Sequence, residues 1–188
     1  GIFDVDSWAR TAEVLRDLAA RFPRVRVLDL GGGIGVPDRT GKRPFDLAKL
    51  EERLAELKRV LGPLEIWLEP GRYIVAEAGV LLARVTQTKA KGDVRYVGIA
   101  TGMNSLIRPA LYGAFHEIHN LTRLDEAATE LVNVVGPICE TGDYLGHDRL
   151  LPPTQEGDVL LIATAGAYGS AMSSRYNLRE PATEIVLP

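Results

Sequence analysis

The chain has 188 residues, 46% hydrophobic and 25% charged, with a formal net charge of -3. That balance suits a globular protein able to bury a core, and it gives no electrostatic reason to expect nucleic acid or an anionic membrane as partner. No apolar run reaches the ~18 residues of a spanning helix, and no basic-apolar-small leader opens the chain. A single cysteine, Cys139, excludes an internal disulfide and fits a reducing, cytoplasmic setting.

In chain order, residues 6–22 place Trp8, Ala12, Leu15, Leu18, Ala19 and Phe22 at helical spacing, with Asp6 or Ser7 as the expected N-cap. Pro23 ends that segment, and residues 24–30, RVRVLDL, read as a buried strand running into three glycines. A polar stretch without helical period follows. Leu47, Leu50, Leu54, Leu57 and Leu61 then mark a second helix over about 47–61, stopped by Gly62. LEIWLEP, 64–70, is the next strand. Helix, strand, helix, strand predicts parallel α/β structure over residues 1–76. Two such strands cannot close a barrel, so this part reads as an incomplete α/β-barrel segment.

From residue 77 to 188 the pattern changes. GVLLARVTQTK, VRYVGIA, FHEIHNL, TELVNVVGP, DVLLIATAG and TEIVLP are short β-type runs punctuated by Gly, Pro and Asp. No long amphipathic helix separates them, and an antiparallel β-domain is expected.

The glycine cluster in LDLGGGIG, 28–35, raises the question of a ligand. Gly31 and Gly33 match the start of a dinucleotide fingerprint, but Val36 stands where the third glycine belongs and a polar run replaces the helix. A methyltransferase pattern requires a strand ending in an acid about 20 residues further on, and that region reads as helix. What remains is a backbone anion site at a strand end. The following strand ends in Glu69-Pro-Gly-Arg72. Successive strand ends of an α/β barrel face the same side, so Glu69 and Arg72 are expected to flank the ligand of the glycine loop. Arg72 suits a phosphate or carboxylate, and Glu69 a cationic ring nitrogen.

Three later segments carry polar groups of possible use. GMNSLIRPALYGAFHEI, 102–118, holds Arg108 and Tyr112. GPICETGDYLG, 136–146, sets Cys139 beside Glu140. AGAYGSAMSSRYN, 165–177, puts Tyr168 between glycines. Each has an ordinary alternative: Arg108 a surface residue, Tyr112 and Tyr168 core aromatics, Glu140 a solvated turn acid, Cys139 a small buried hydrophobe.

Taken in order, LDLGGGIG, EPGR, IRPALYG, GPICETGD and GAYGSAMSSRYN resemble the C-terminal part of the diaminopimelate decarboxylase family, pyridoxal-phosphate enzymes of the alanine-racemase-like class. The resemblance implies the last part of a (β/α)8 cofactor-binding barrel followed by a C-terminal antiparallel β-domain. It implies that Gly32 and Gly33 hold the phosphate of pyridoxal 5'-phosphate, with Gly71, Arg72 and Tyr168 beside them, and that Glu69 pairs with the ring nitrogen. It implies that Arg72, Arg108, Tyr112, Glu140 and Tyr168 bind meso-diaminopimelate, and that Cys139 is the acid that reprotonates the α-carbon. It further implies a head-to-tail homodimer in which the Cys-Glu segment serves the partner's site. No metal is implied. Thr101, Thr141 and Phe115 depart mildly from the pattern and resemble the version fused behind an aspartate kinase.

This chemistry needs a lysine that carries the cofactor as an imine. Lys42, Lys49, Lys58, Lys89 and Lys91 sit on polar loops, a helix surface and a turn. The family's lysine lies in an early strand, and its ring-stacking histidine in a segment before a Gly-Ser-Gly-Ile run. The chain opens at GIFD, so it is expected to be a C-terminal fragment, inactive alone. Two other readings compete: a non-catalytic module derived from such an enzyme, and an S-adenosylmethionine methyltransferase. A decarboxylase of arginine or ornithine is the nearest enzymatic rival, and the distal clamp opposes it.

Overall fold

Asp4 opens the first helix, because its carboxylate accepts from the N–H groups of Asp6 and Ser7 at 3.2 and 3.0 Å. The computed structural model, which describes residues 1–188, thus starts α1 at Val5 and ends it at Ala19. The cap lies two residues before the expected Asp6. Asp6 instead faces the second helix, where it pairs with Lys49 at 2.6 Å and Arg53 at 3.0 Å.

Strand β1, Val27–Asp29, runs parallel to β2, Glu65–Trp67, in register Val27↔Glu65 to Asp29↔Trp67. Between them α2, Leu47–Leu61, is capped by Asp46 and stopped at Gly62, whose φ of 61° is left-handed. Trp8, Ala12, Leu28, Leu30, Leu50 and Leu57 form the core of this unit. A five-residue helix, α3 (Gly71–Val75), begins within EPGR, in a place where no element is expected.

The chain divides into two compact units, Gly1–Ile74 and Val75–Pro188. The second contains β3 (Leu81–Lys91), β4 (Val94–Ile99), the short helix α4 (Arg108–Tyr112), β5 (Ile118–Asn120), β6 (Glu130–Val135), β7 (Tyr144–Leu151) and β8 (Val159–Ile162). The six strands form one sheet in the order β5-β8-β3-β4-β6-β7. Gly92, at φ 60°, makes the two-residue turn between β3 and β4. The pairing is antiparallel except for β4 with β6, which is parallel, so the sheet is mixed where an antiparallel one is expected. Val85, Ile99, Leu106, Val134, Leu145, Leu160 and Ile162 close the core over one face.

Two further expectations fail. TEIVLP forms no strand: no partner strand reaches it, and Ile185, Val186 and Leu187 stay exposed. β7 was not foreseen, since its alternation is broken by bulges against β6 and by Asp148 at φ 50°.

Asp158 ties the loop before β8 to the end of β5. Its Oδ2 accepts from Asn120 at 2.9 Å, Arg123 at 2.8 Å and the Gln155 N–H at 3.0 Å. Burial would raise this carboxyl, but those donors outweigh it and hold it below its ordinary value. A carboxylate lowered on folding stabilises the fold above its unfolded value and loses that contribution as the pH falls through the folded one. Asp158→Ala is expected to cost about 2–3 kcal/mol at neutral pH. It should also flatten the acid limb of the stability profile, measured by urea unfolding between pH 3 and 7.

Candidate functional site

Parallel pairing continues past the ends of β1 and β2: Leu30 donates to the Trp67 carbonyl at 3.0 Å, and Glu69 to the Gly31 carbonyl at 2.8 Å. This brings the glycine loop and Glu69 side by side, as the order of strand ends requires. The fit is close enough that a Cβ on Gly32 would overlap the Glu69 carbonyl. Gly31 and Gly33 have φ of 67° and 77°, values that L side chains rarely adopt.

Hydrogen bonding in the loop is one-sided. The carbonyl of Gly31 is taken by Glu69, that of Gly32 by the indole of buried Trp8 at 3.2 Å, and that of Gly33 by the Ile2 N–H at 2.8 Å. The Gly31 N–H donates to the Asp29 carboxylate at 2.8 Å. The N–H groups of Gly32 and Gly33 donate to nothing in the chain. With the carbonyls occupied and two amides left over, the loop has two N–H donors to offer an anion. Glu69 is exposed with its carboxylate unpaired, and Arg72, on α3, makes no ion pair. The three lysines of this unit are engaged elsewhere: Lys42 with Asp38 and the Phe3 ring, Lys49 with Asp6, and Lys58 with the carbonyls of Gly62 and Leu64.

In the sheet unit, Cys139 and Glu140 sit on the turn between β6 and β7, both exposed. Exposure removes the alternative of a buried structural thiol. What shapes this turn is Asp143, only 3% exposed. Its two oxygens accept from the N–H groups of Met103 at 2.6 Å and Ile138 at 2.7 Å. Gly102 and Gly136 are needed beside it, since a Cβ on either would run into the carboxylate. Burial raises this carboxyl above its ordinary value, partly offset by the two amide donors.

Glu140 accepts from the Tyr176 hydroxyl at 2.9 Å and from the Thr141 N–H at 2.9 Å. The hydrogen bond to Glu140 and its negative charge raise the Tyr176 phenol. Tyr176 lies within AGAYGSAMSSRYN, and no local spacing pairs it with Glu140, 36 residues away.

Arg108 opens α4 and lies 5.8 Å from the centre of the Tyr168 ring. Tyr168 is 45% exposed at φ 62°, and Tyr112 is 65% exposed. Neither is the core aromatic of the ordinary alternative. A left-handed, exposed tyrosine beside an arginine is the kind of strained placement found at binding sites. Phe115 offers its ring to Arg149 at 3.7 Å, an arrangement that needs no hydroxyl.

The α/β unit thus offers a main-chain cradle to an anion on parallel strand ends, and the sheet unit displays a thiol, an acid and an arginine. Comparison with known proteins is specific. The family model described as "Pyridoxal-dependent decarboxylase, C-terminal sheet domain" matches residues 24–166. A diaminopimelate decarboxylase of Archaeoglobus fulgidus is 39% identical over 99% of this chain and 46% of its own length. The crystal structure of diaminopimelate decarboxylase from M. jannaschii superposes with a TM-score of 0.86 at 31% identity, covering 96% of this chain and 43% of that one. The Helicobacter pylori enzyme complexed with L-lysine gives 0.79 at 35% identity, covering 92% and 42%. The chain belongs to the pyridoxal-dependent decarboxylase family through its C-terminal sheet domain. It spans about half the length of the curated relatives it matches. No helix is long and apolar enough to cross a membrane.

Asp143→Asn would set an amide N–H against one of the two backbone donors that the carboxylate now accepts. It is expected to lower stability by about 1–3 kcal/mol. It should also loosen the 136–143 turn, so that Cys139, the only thiol, reacts several-fold faster with a disulfide reagent, as followed by absorbance in stopped flow.

Proposed function

We propose that this chain supplies the cofactor-phosphate cradle and the substrate-gripping groups of a pyridoxal-phosphate-dependent diaminopimelate decarboxylase, which converts meso-diaminopimelate to L-lysine and carbon dioxide. The observation that carries the reading is the glycine loop, whose carbonyls are all consumed while the Gly32 and Gly33 amides are left for an anion. These residues fit the cofactor's phosphate, and Gly71 and Arg72 begin α3 directly beyond it. When bound, the cofactor accepts the electron pair released as the substrate carboxylate departs.

The chain's own groups would act as follows. Glu69 keeps the ring nitrogen protonated through its exposed carboxylate. Arg72 and Tyr168 support the phosphate or the substrate carboxylate. Arg108, Tyr112 and Glu140 hold the distal amino-acid end, where a substrate lacking those polar groups would leave them unpaired. The Cys139 thiol donates a proton to the α-carbon. In a head-to-tail dimer the exposed Cys139–Glu140 turn would serve the partner's site. The lysine that carries the cofactor is read as coming from outside these 188 residues, whose five lysines lie on the loop after β1 (Lys42), on α2 (Lys49 and Lys58) and on β3 (Lys89 and Lys91). That unit is read as the last part of a (β/α)8 barrel, residues 1–76, and the sheet unit as the C-terminal β-domain, residues 77–188.

The test joins this chain to the remaining, lysine-bearing portion of the Archaeoglobus fulgidus relative and assays lysine formation from meso-diaminopimelate with added pyridoxal phosphate. Activity is expected from the joined protein and none from the chain alone. Cys139→Ser should lower kcat by about 10²-fold or more, and Gly32→Ala should weaken cofactor binding at least tenfold through its clash with Glu69. Lysine formation by the 188-residue chain alone would contradict the reading, as would an active joined protein in which Cys139→Ser has no effect.

A further inference from the structure

His116 is fully buried, and its two ring nitrogens bond in opposite directions. Nδ1 lies 2.8 Å from the carbonyl oxygen of Ala163, just past the end of β8. A carbonyl oxygen only accepts, so Nδ1 carries the proton. Thr164 agrees with this assignment. Its hydroxyl donates to the same Ala163 carbonyl at 2.8 Å, which leaves its lone pairs facing Nδ1 at 3.3 Å. On the other side, Nε2 lies 3.1 Å from Nη1 of Arg108. A guanidinium only donates, so Nε2 must offer a lone pair, and the ring is the neutral Nδ1–H tautomer.

The backbone around Ala163 is fixed from both sides. Its N–H donates to the Glu117 carbonyl at 2.9 Å, beside the β5–β8 pairing of Ile118 with Ile162. Thr164 itself sits at φ 52°, costly for a β-branched residue. That strained conformation puts the hydroxyl where it shares the carbonyl with His116. Arg108 in turn has the imidazole on one side and the face of Tyr168 on another. An arginine side chain has several rotatable bonds to immobilise, and here a buried acceptor does it.

We propose that His116, locked as the Nδ1–H tautomer by Ala163 and Thr164, is a positioning residue that fixes the Arg108 guanidinium for a substrate carboxylate. The proposal rests on the reading of Arg108 as a substrate-gripping group. The first test needs no substrate. Imidazole ¹H–¹⁵N correlation spectra of the isotopically labelled chain, assigned with a His116→Gln variant, should show protonated Nδ1 and lone-pair Nε2 at neutral pH. The reverse tautomer, or a doubly protonated ring, overturns the proposal.

The second test uses the joined decarboxylase. His116→Leu is expected to raise KM for meso-diaminopimelate about tenfold, the loss of one charge-assisted hydrogen bond, with kcat changed less than about twofold. His116→Gln, which keeps an acceptor near Nε2, should recover most of that loss. Arg108→Met should raise KM, and adding His116→Leu to it should raise KM no further. If Arg108→Met raises KM and both His116 variants leave it unchanged, the positioning role is overturned while the decarboxylase reading stands. If the unaltered protein forms no lysine, the functional reading fails, and the tautomer spectrum still decides whether His116 holds Arg108.

Discussion

Asp143 is withdrawn from water with both carboxylate oxygens committed to backbone N–H groups, one from the loop after β4 and one from the turn after β6. An unpaired buried carboxylate would cost several kcal/mol, so those two loops can only pass where their amides meet it. Gly102 and Gly136 are the sequence's concession to that approach. The thiol and acid at 139 and 140 take their positions from this constraint. The same demand recurs at His116, whose burial forces a tautomer, and at Trp8, whose buried indole must find the Gly32 carbonyl.

The two units solve different chemical problems with different material. The α/β unit presents main-chain amides, held by parallel strands only three residues long and by a tryptophan behind them. The sheet unit presents side chains on turns and short helices, where a six-stranded scaffold with a continuous core can hold strained residues such as Thr164 and Tyr168. Rigid sheet and displayed loops are a common division of labour, and two left-handed residues, Thr164 and Tyr168, follow β8, near the arginine.

Much of this was legible in the chain. The leucine stripe and Gly62 marked α2 to its residue bounds, because local periodicity and a glycine stop agree there. The glycine loop and EPGR could be paired because parallel strand order alone places successive ends together. Elements whose existence depends on a partner were less legible. TEIVLP has strand-like residues but no neighbour to bond, while β7 has irregular alternation yet forms, because β6 supplies the pairing. Asp143, His116 and Tyr176 lie in GPICETGDYLG, GMNSLIRPALYGAFHEI and AGAYGSAMSSRYN, where their residue types alone point to no role. Their importance comes from contacts 36 to 48 residues away in sequence for Tyr176 with Glu140 and His116 with Thr164, and 40 for Asp143 with Met103. Nothing in local spacing encodes such contacts.

The glycine loop has a consequence for how its role can be seen at all. The groups it offers to an anion belong to the peptide backbone, so every one of the twenty amino acids except proline would carry the same donor. Substitution there tests only room and backbone conformation, and a conventional scan would score Gly32 and Gly33 as packing residues. Their chemistry becomes visible when the donor itself is deleted, by an amide-to-ester replacement that leaves the side chain untouched.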